Sequence, residues 1–457
     1  MMSGAKPERR TPAYPRKGFW GRLWFVWLMG IPLWVGLLIS CTTTPRPYGT
    51  GQDWPAHTLS VAEALSLWEL PEVAVDEPTP IYRGEQWKAT AVEMIGEARE
   101  SVIATVFLGS LCEETAPVYQ MLIAKAQAGL EVYLVFDSIS NLEYTASSEK
   151  MKSLHMLRQY GIHVLEFNPF SGERILMLDH LLYREHRKFL IVDGKTVALG
   201  GMNLNFVSVN DSSSADGQRD SMYVFHSTGL AGLLTRDFVE FWRANSWEPI
   251  DIPVKDELSG SLAEASPPPV EPNRNRAWVA DQYGSYRNVE NMYCALFDAA
   301  QKEVLILPFL PFLGSNMKES VRRAVQRGVT VRMLLPWDMR VENRLAVEYA
   351  ALDLIDLGIQ LYREPAPHEG QMYPLLHEKL VIVDDGFTMV GSANFNYRSM
   401  NLSYELGVVV QSLELNRRSR EHFQELSRNA ERISREMAIS WRKFTVLPNY
   451  WFTFIGG

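Results

Sequence analysis

The chain has 457 residues, enough for two domains of ordinary size, and its 46% hydrophobic and 22% charged residues exclude an intrinsically disordered protein. The formal net charge is −9, and it falls to −14 for the rest of the chain once the +5 of residues 1–40 is set aside. An acidic body of this kind argues against binding nucleic acid over a broad electrostatic surface.

The N-terminal segment, residues 1–40, has the order of an export signal. Basic residues precede an apolar run over residues 23–39, and Ser40 and Cys41 follow it. The tetrad 38–41 resembles a bacterial lipobox, which implies a lipidated Cys41. Thr42 in the next position implies no inner-membrane retention signal. An uncleaved membrane anchor is the alternative, since the run approaches spanning length. Both interpretations predict a membrane-anchored protein of the bacterial cell envelope. As a lipoprotein, the chain would face the periplasm.

The two halves of the chain repeat one order of predicted elements. In the first half the pattern predicts strand 102–108, helix 119–128, strand 130–136, a helix ending at residue 160 and strand 162–167. In the second half it predicts strand 304–310, helix 318–326, strand 329–335, helix 351–357 and strand 359–362. Strands that alternate with helices indicate a duplicated α/β protein with mainly parallel sheets covered on both faces.

This repeat sets the predicted domain boundaries. They are a first lobe at 80–250, a linker at 251–275, a second lobe at 276–412, and a C-terminal helix with an aromatic tail at 413–457. The linker is rich in Pro, Gly, Ser and charged residues. The tail's rings are expected to pack on the second lobe, and contact with lipid is the alternative.

Each half carries one copy of the pattern H-x-K-x-x-x-x-D. The first copy begins at His186 with Lys188 and ends at Asp193, and Asn203 follows in Gly200-Gly201-Met-Asn. The second begins at His377 with Lys379 and ends at Asp384, and Asn394 follows in Gly391-Ser-Ala-Asn. Residues two apart in a strand share a face, so each His and Lys point to the same side.

Two histidines and two lysines that converge on one pocket suit a phosphodiester. Lysines and asparagine amides bind nonbridging oxygens, one neutral imidazole attacks phosphorus, and the other delivers a proton to the leaving alcohol. This chemistry needs no cofactor and no metal, and the sequence has no cluster with metal-ligand spacing.

Carboxylates are needed to orient the imidazoles. Asp220 and Glu405 stand at equivalent places after the two motifs, at the start of apolar strands, and are the candidates for this role. Asp193 and Asp384 end the motif strands just before glycine-containing turns. Turn capping and a direct catalytic role both remain open for them.

The other histidines and cysteines are expected to lie outside the reaction itself. Structural roles are expected for His57, His155, His163, His226 and His422. Positions bordering the pocket are expected for His180 and His368, and small buried hydrophobes for Cys112 and Cys294.

These residues resemble the phospholipase D superfamily, and most closely its bacterial cardiolipin synthase branch. The resemblance covers nearly all of residues 85–412 and extends to segment 161–169, the Gly200-Gly201 doublet, and Arg398-Ser399. It implies two tandem α/β/α lobes related by a pseudo-twofold axis, with one active site at their interface. It also implies a phosphohistidine route, with His186 as the nucleophile and His377 as the acid and base. The chain departs from the branch in having one apolar N-terminal segment, where two membrane helices are common.

The expected function is therefore phosphatidyl transfer to a lipid alcohol such as phosphatidylglycerol. The alternatives are a phospholipase D hydrolase, or an exported phosphodiesterase or nuclease. The expected partners are a phospholipid substrate and a membrane, with nucleic acid disfavoured. One chain holds both motifs, so a monomer suffices for one active site.

Overall fold

The computed structural model describes the following parts of the chain: residues 59–141, 153–170, 182–210, 217–252, 275–283, 286–337, 339–366 and 374–456. The predictions for the N-terminal segment, Cys41, His57, His180, His368 and most of the linker lie outside these residues. Within them, no helix is both long enough and apolar enough to span a bilayer.

The described strands run in chain order through both halves. Up to residue 252 they are β1 (Glu72–Val75), β2 (Thr79–Ile81), β3 (Ser101–Val106), β4 (Glu131–Asp137), β5 (His163–Phe167), β6 (Phe189–Val192), β7 (Thr196–Gly200), β8 (Gln218–Arg219) and β9 (Met222–His226). From residue 275 they are β10 (Asn275–Tyr283), β11 (Tyr286–Arg287), β12 (Glu303–Pro308), β13 (Thr330–Leu335), β14 (Gln360–Arg363), β15 (Leu375–Leu376), β16 (Lys379–Val383), β17 (Phe387–Gly391), β18 (Glu405–Gln411) and β19 (Glu431–Arg432).

The described α-helices are interspersed with these strands. They are α1 (Val61–Leu67), α2 (Gly84–Glu97), α3 (Ala116–Gln127), α4 (Phe206–Val209), α5 (Thr228–Asn245), α6 (Asn288–Ala299), α7 (Ser315–Gln326), α8 (Val341–Asp356), α9 (Tyr397–Asn401), α10 (Leu413–Leu426), α11 (Arg435–Trp441) and α12 (Leu447–Ile455). Two 3₁₀ helices are also described, at Leu154–Tyr160 and Phe444–Val446.

Each half builds one twisted sheet. The first sheet has the order β2-β9-β7-β6-β3-β4-β5, and the path of the second is β1-β10-β18-β17-β16-β12-β13-β14-β19. The order β7-β6-β3-β4-β5 recurs as β17-β16-β12-β13-β14, which confirms the predicted duplication. Sheet and helix layers of this kind confirm the predicted α/β class.

The expectation of mainly parallel sheets is wrong, because both sheets are mixed. β3, β4 and β5 are parallel to one another, but motif strand β6 is antiparallel to β3 and to β7. The short turn of residues 193–195 makes β6 antiparallel to β7, since a hairpin connection of that length can join only antiparallel strands. The second half repeats this at β16 and β17.

The residues before the predicted first lobe belong to the second sheet. β1 pairs with β10 in antiparallel register, from Glu72 opposite Trp278 to Val75 opposite Asn275. Helix α1 packs against α6. The chain therefore adds an edge strand to the second sheet before it builds the first one.

The inner faces of the two sheets share one apolar core. Residues from the first sheet such as Val135 and Leu199 form a single cluster with Ile382 and Val408 of the second, together with apolar residues of α5 and α10. Two further clusters lie under α2 and α3 on one side and under α6, α7 and α8 on the other. The two halves therefore fold around a common centre.

Glycines end helices where the sequence predicts that they do. Gly129 and Gly328 follow α3 and α7 with φ of 89° and 91°, the left-handed region that a residue with a Cβ rarely adopts. The predicted helix ending at residue 160 is a 3₁₀ helix in its described part.

Candidate active site

The two motif histidines meet at the boundary between the halves. The backbone N–H of His186 donates to the carbonyl of Tyr404 in the second half over 3.0 Å, and that of His377 donates to the carbonyl of Arg219 in the first half over 2.8 Å. Beside them, β15 pairs with β8, and Glu185 forms a bridge with Tyr404. The backbone at each motif histidine is therefore bound by the half that does not encode it.

The orienting carboxylates cross this boundary. Nδ1 of His186 donates to Glu405 over 3.0 Å, and Nδ1 of His377 donates to Asp220 over 2.6 Å. The two carboxylates are fully buried. Because an ionised carboxylate only accepts hydrogen bonds, it fixes the proton on Nδ1 and leaves Nε2 as the basic nitrogen of each ring.

The two carboxylates have different supports. Ser392 donates its hydroxyl to Glu405 over 2.5 Å. The equivalent position in the first half is Gly201, and a Cβ there would overlap the carboxylate of Asp220. Asp220 instead accepts from the Gln218 amide over 2.9 Å and from a backbone N–H over 2.8 Å. The doublet Gly200-Gly201 thus makes room for the shorter acidic side chain.

The motif lysines are buried beside the histidines. Lys188 donates to the carbonyl of His186 over 2.6 Å. Nζ of Lys379 lies 2.6 Å from Nδ1 and 3.1 Å from Nε2 of His377, and 3.6 Å from Asp220. Burial, opposed by Glu405 and assisted by the charge of Lys379, lowers the pKa of Lys188 to about 7. Burial also lowers the pKa of Lys379. Two buried lysines whose charges repel each other favour a bound anion between them.

Both imidazoles are neutral at pH 7. Burial lowers the pKa of His186 to about 3 and that of His377 to about 4, although the paired carboxylates act in the opposite direction. Against the effect of burial, His186 and Lys188 lower the pKa of Glu405 to about 2. Lys379 and His377 likewise outweigh burial and lower the pKa of Asp220. The site thus holds two charged carboxylates and two neutral rings, and Nε2 of either ring offers a lone pair.

Aromatic rings and one further cation complete the surroundings. Phe107 lies 4.7 Å from the ring of His186, and Phe309 lies 4.4 Å from the ring of His377. The guanidinium of Arg398 lies 5.9 Å from the ring of Phe107, and its charge contributes to the low pKa of His186. The two phenylalanines were missed in the sequence, although both stand in a Phe-Leu pair just after the first strand of each repeat.

The motif asparagines are buried at equivalent places. The side-chain oxygen of Asn203 accepts from the N–H of Leu108 over 2.9 Å, which places it beside Phe107. The side-chain oxygen of Asn394 is buried without a hydrogen-bond partner. Since a buried acceptor without a partner is costly, the side-chain oxygen of Asn394 is suited to a hydrogen-bond donor.

The structure does not bring Asp193 and Asp384 to the histidines. Asp193 accepts from the N–H groups of residues 99–101, and Asp384 accepts from those of residues 301–303. Both have positive φ, 53° and 47°. They cap turns at the far end of the motif strand, because four intervening residues carry the chain away from the pocket. A catalytic role for Asp193 and Asp384 does not fit this placement, whereas turn capping, the other prediction, does.

The remaining described histidines and cysteines lie apart from this pair. His155 pairs with Glu166, His163 with Glu248 and His422 with Glu378, while His226 is exposed. Cys294 is buried in the core and Cys112 is half-buried, and neither forms a disulfide with a described residue. Among the described residues, no group of three or more His, Cys, Asp or Glu is arranged to hold a metal.

Comparison with known proteins places this geometry in a family. The family model described as "Cardiolipin synthase, PLD-like domain" matches residues 91–242 and 293–427, more than half of the chain and both motifs. The chain is 26% identical to cardiolipin synthase A of Pseudomonas aeruginosa over 355 residues, which are 76% of this chain and 66% of that protein. It is 24% identical to cardiolipin synthase B of Shigella flexneri over 349 residues, 74% of this chain and 77% of that protein.

A solved structure shows the same fold at low identity. Phosphatidylserine synthase of Haemophilus influenzae superposes with a TM-score of 0.62 at 14% identity, over 86% of this chain and 99% of that one. The chain spans just under two thirds of the length of the Pseudomonas synthase. The predicted two-lobed fold is confirmed, and the chain belongs to the phospholipase D superfamily, within its cardiolipin synthase-like family.

Proposed function

We propose that this chain is a membrane-associated phosphatidyltransferase that works through a phosphohistidine intermediate. The observation that carries the proposal is the pair of neutral imidazoles, each with its proton fixed on Nδ1 by a carboxylate of the other half. That arrangement provides two basic Nε2 atoms at one site, as a double displacement at phosphorus requires.

In the first step, Nε2 of His186 attacks the phosphorus of a phospholipid. The P–N bond forms as the P–O bond to the leaving alcohol breaks, and that oxygen takes a proton from Nε2 of His377. His377 must hold this proton beforehand. A phosphodiester carries a negative charge, which raises the pKa of a neighbouring imidazole. Lys188 and Lys379 neutralise the nonbridging oxygens as charge develops on them.

In the second step, the acceptor alcohol gives its proton to Nε2 of His377 while its oxygen attacks phosphorus. The P–N bond breaks and His186 is restored. With phosphatidylglycerol as donor and acceptor, the products are cardiolipin and glycerol, and with water the product is phosphatidic acid. The assignment of His186 as nucleophile follows the family resemblance, since the two half-sites are close to symmetric.

Three observations support a lipid substrate. The family model and the relatives carry the name cardiolipin synthase, the chain body is acidic, and Phe107 and Phe309 line the histidines with apolar rings. The N-terminal segment supports anchoring through lipidation of Cys41 in the cell envelope. Incorporation of radiolabelled palmitate that is lost in Cys41→Ala would support that anchor, and equal incorporation would contradict it.

Product analysis tests the reaction. Purified full-length protein with phosphatidylglycerol vesicles should form cardiolipin and glycerol in equal amounts. Phosphatidic acid without cardiolipin would identify a hydrolase. Cleavage of a single-stranded oligonucleotide with lipids untouched would replace the lipid substrate altogether. His186→Ala should abolish turnover and the acid-labile phospholipid–protein adduct together.

A further inference from the structure

The C-terminal helix α12 presents an apolar face to solvent. Its exposed positions include Pro448, Trp451 and Phe452, and Ile455 is half-buried. The spacing i, i+3, i+4, i+7 places these four residues on one side of a helix. Trp451 is 44% and Phe452 55% exposed, and Phe444, in the 3₁₀ helix just before α12, is 85% exposed. We call residues 448, 451, 452 and 455 the outward face.

The opposite face of α12 is fixed to the second half. Tyr450 and Phe454 lie 5.7 and 6.3 Å from the ring of Phe312, and Tyr450 lies 5.0 Å from Tyr349 of α8. This confirms part of the predicted packing of the tail. Since the inner rings contact the second half, the helix is packed on the fold with the outward face at its surface.

The charge around α12 suits the headgroup region of a bilayer. Residues 441–456 contain Arg442 and Lys443 and no acidic residue. Arg442 is paired with Asp353 over 2.5 Å, so its charge is balanced by the protein. Lys443 is exposed. Tryptophan and phenylalanine next to a lysine are typical of segments that rest at a membrane–water interface.

The end of α12 leads to the candidate active site. A Cβ placed on Gly456 would lie 3.8 Å from Nη1 of Arg398. Arg398 lies over the ring of Phe107, and Phe107 contacts the ring of His186. Two side chains therefore separate the last turn of the helix from the proposed nucleophile.

We propose that the outward face of α12 docks onto a phospholipid bilayer and sets the active site against the membrane that holds its substrate. Trp451 and Phe452 enter the boundary between headgroups and acyl chains, and Arg398 and Phe107 then stand between that boundary and His186. This inference deepens the proposed function and rests on it for the identity of the substrate. Docking of this kind depends on aromatic burial more than on charge, so it persists at high salt.

The docking is measured without turnover. Full-length protein is mixed with vesicles of phosphatidylglycerol and phosphatidylethanolamine, and hydrogen exchange is followed in residues 447–456. Protection of this segment on vesicles, retained in high salt, is expected. Trp451→Ser with Phe452→Ser should lose the protection and weaken vesicle partitioning at least about tenfold. The N-terminal segment is present in both proteins, so the difference reports α12 alone.

Trp247 offers a matched control. It is fully exposed in the first half, next to Glu248, which pairs with His163 at the start of β5. That end of the sheet is opposite to the end where Phe107 follows β3. Trp247→Ser should therefore leave the protection and partitioning unchanged. An equal loss in both variants, or unchanged protection in the double variant, would overturn the proposal.

A second readout separates docking from a structural effect. The double variant should turn over phosphatidylglycerol in vesicles at least about tenfold more slowly and keep its rate on a short-chain analogue dissolved as monomers. Equal loss on both substrates would make α12 a structural element and overturn the docking role. If neither substrate is turned over by the wild type while the segment is protected on vesicles, the proposed function fails and the docking surface stands.

Discussion

Glu405 of the second half accepts a hydrogen bond from Nδ1 of His186 in the first half, over 3.0 Å. Asp220 of the first half does the same for His377 of the second. The orienting groups are thus exchanged between the halves, and neither half contains a complete histidine–carboxylate pair. The order of motifs along the chain does not reveal this exchange, because each acidic residue follows the motif of its own half.

Glu405→Gln tests the exchanged pair. An amide can still accept from Ser392, but it carries no negative charge and no longer fixes the tautomer of His186. We expect kcat to fall by roughly 10²–10⁴-fold with little change in the melting temperature. Phosphatidyl transfer rates and thermal unfolding are the measurements. Glu425→Gln, on the exposed side of α10, is the control and should be neutral; full activity in Glu405→Gln would contradict the role.

Gly201→Ala tests the space reserved for Asp220. The added methyl overlaps the Asp220 carboxylate and displaces it from His377. Activity should fall at least about tenfold, because the ring loses its fixed orientation. Gly386→Ala is the matched control, since a Cβ at that position meets open space. Equal activity in the two variants would show that the position of Asp220 does not depend on the space beside Gly201.

Lys188→Arg tests the cation that holds the phosphate. The pKa of Lys188 is about 7, so kcat/KM should fall as the pH rises through neutrality and the lysine loses its proton. An arginine keeps its charge at all these pH values. In this variant the fall of kcat/KM should therefore move to higher pH. The maximum kcat/KM should be lower, because the guanidinium is larger. Lys195→Arg, at an exposed position, is the control. If the alkaline fall of kcat/KM does not move in Lys188→Arg, that fall reports the titration of another group.

The buried histidines should make the fold sensitive to acid. Their pKa values in the folded protein, about 3 for His186 and about 4 for His377, lie below the ordinary value near 6.5. The unfolded chain therefore binds more protons as the pH falls below 6.5, and stability is lost progressively towards pH 4 for His377 and pH 3 for His186.

A double variant isolates this acid sensitivity. Asparagine keeps a donor near the position of Nδ1 and does not titrate. His186→Asn with His377→Asn should reduce the pH slope of the unfolding free energy below pH 6 by about 1.4 kcal/mol per pH unit for each histidine. Urea unfolding between pH 4 and 7 measures it. Identical slopes in variant and wild type would show that the histidines titrate normally in the fold.

Asp193→Ala separates folding from chemistry. Asp193 accepts from three backbone N–H groups at the start of β3, so removing its carboxylate should cost about 1–3 kcal/mol of stability. The turnover rate of the remaining folded protein should be unchanged. Urea unfolding and kcat normalised to folded protein are the measurements. A large fall in that kcat would restore a direct role for this residue.

Much of the fold and the site follows from sequence pattern. Gly129 and Gly328, the buried strands and the repeated motif establish two α/β halves, because these features depend on local periodicity and backbone conformation. The direction of β6 was not predicted, since β6 pairs with β3, which lies far before it in the chain, and periodicity does not report the direction of such a pair. The roles of Gln218, Phe107 and Phe309 depend on contacts between distant segments, which periodicity does not report.

Strand β1 has a consequence for dividing the molecule. β1 lies before the first sheet in the chain but pairs with β10 of the second sheet. The chain then builds the first sheet. A fragment that starts at residue 275 would expose an unpaired edge of β10, and a fragment that ends at residue 252 would carry β1 with no strand to join. The duplicated halves are therefore no longer autonomous modules. We therefore expect that cutting the polypeptide between them yields two aggregation-prone pieces.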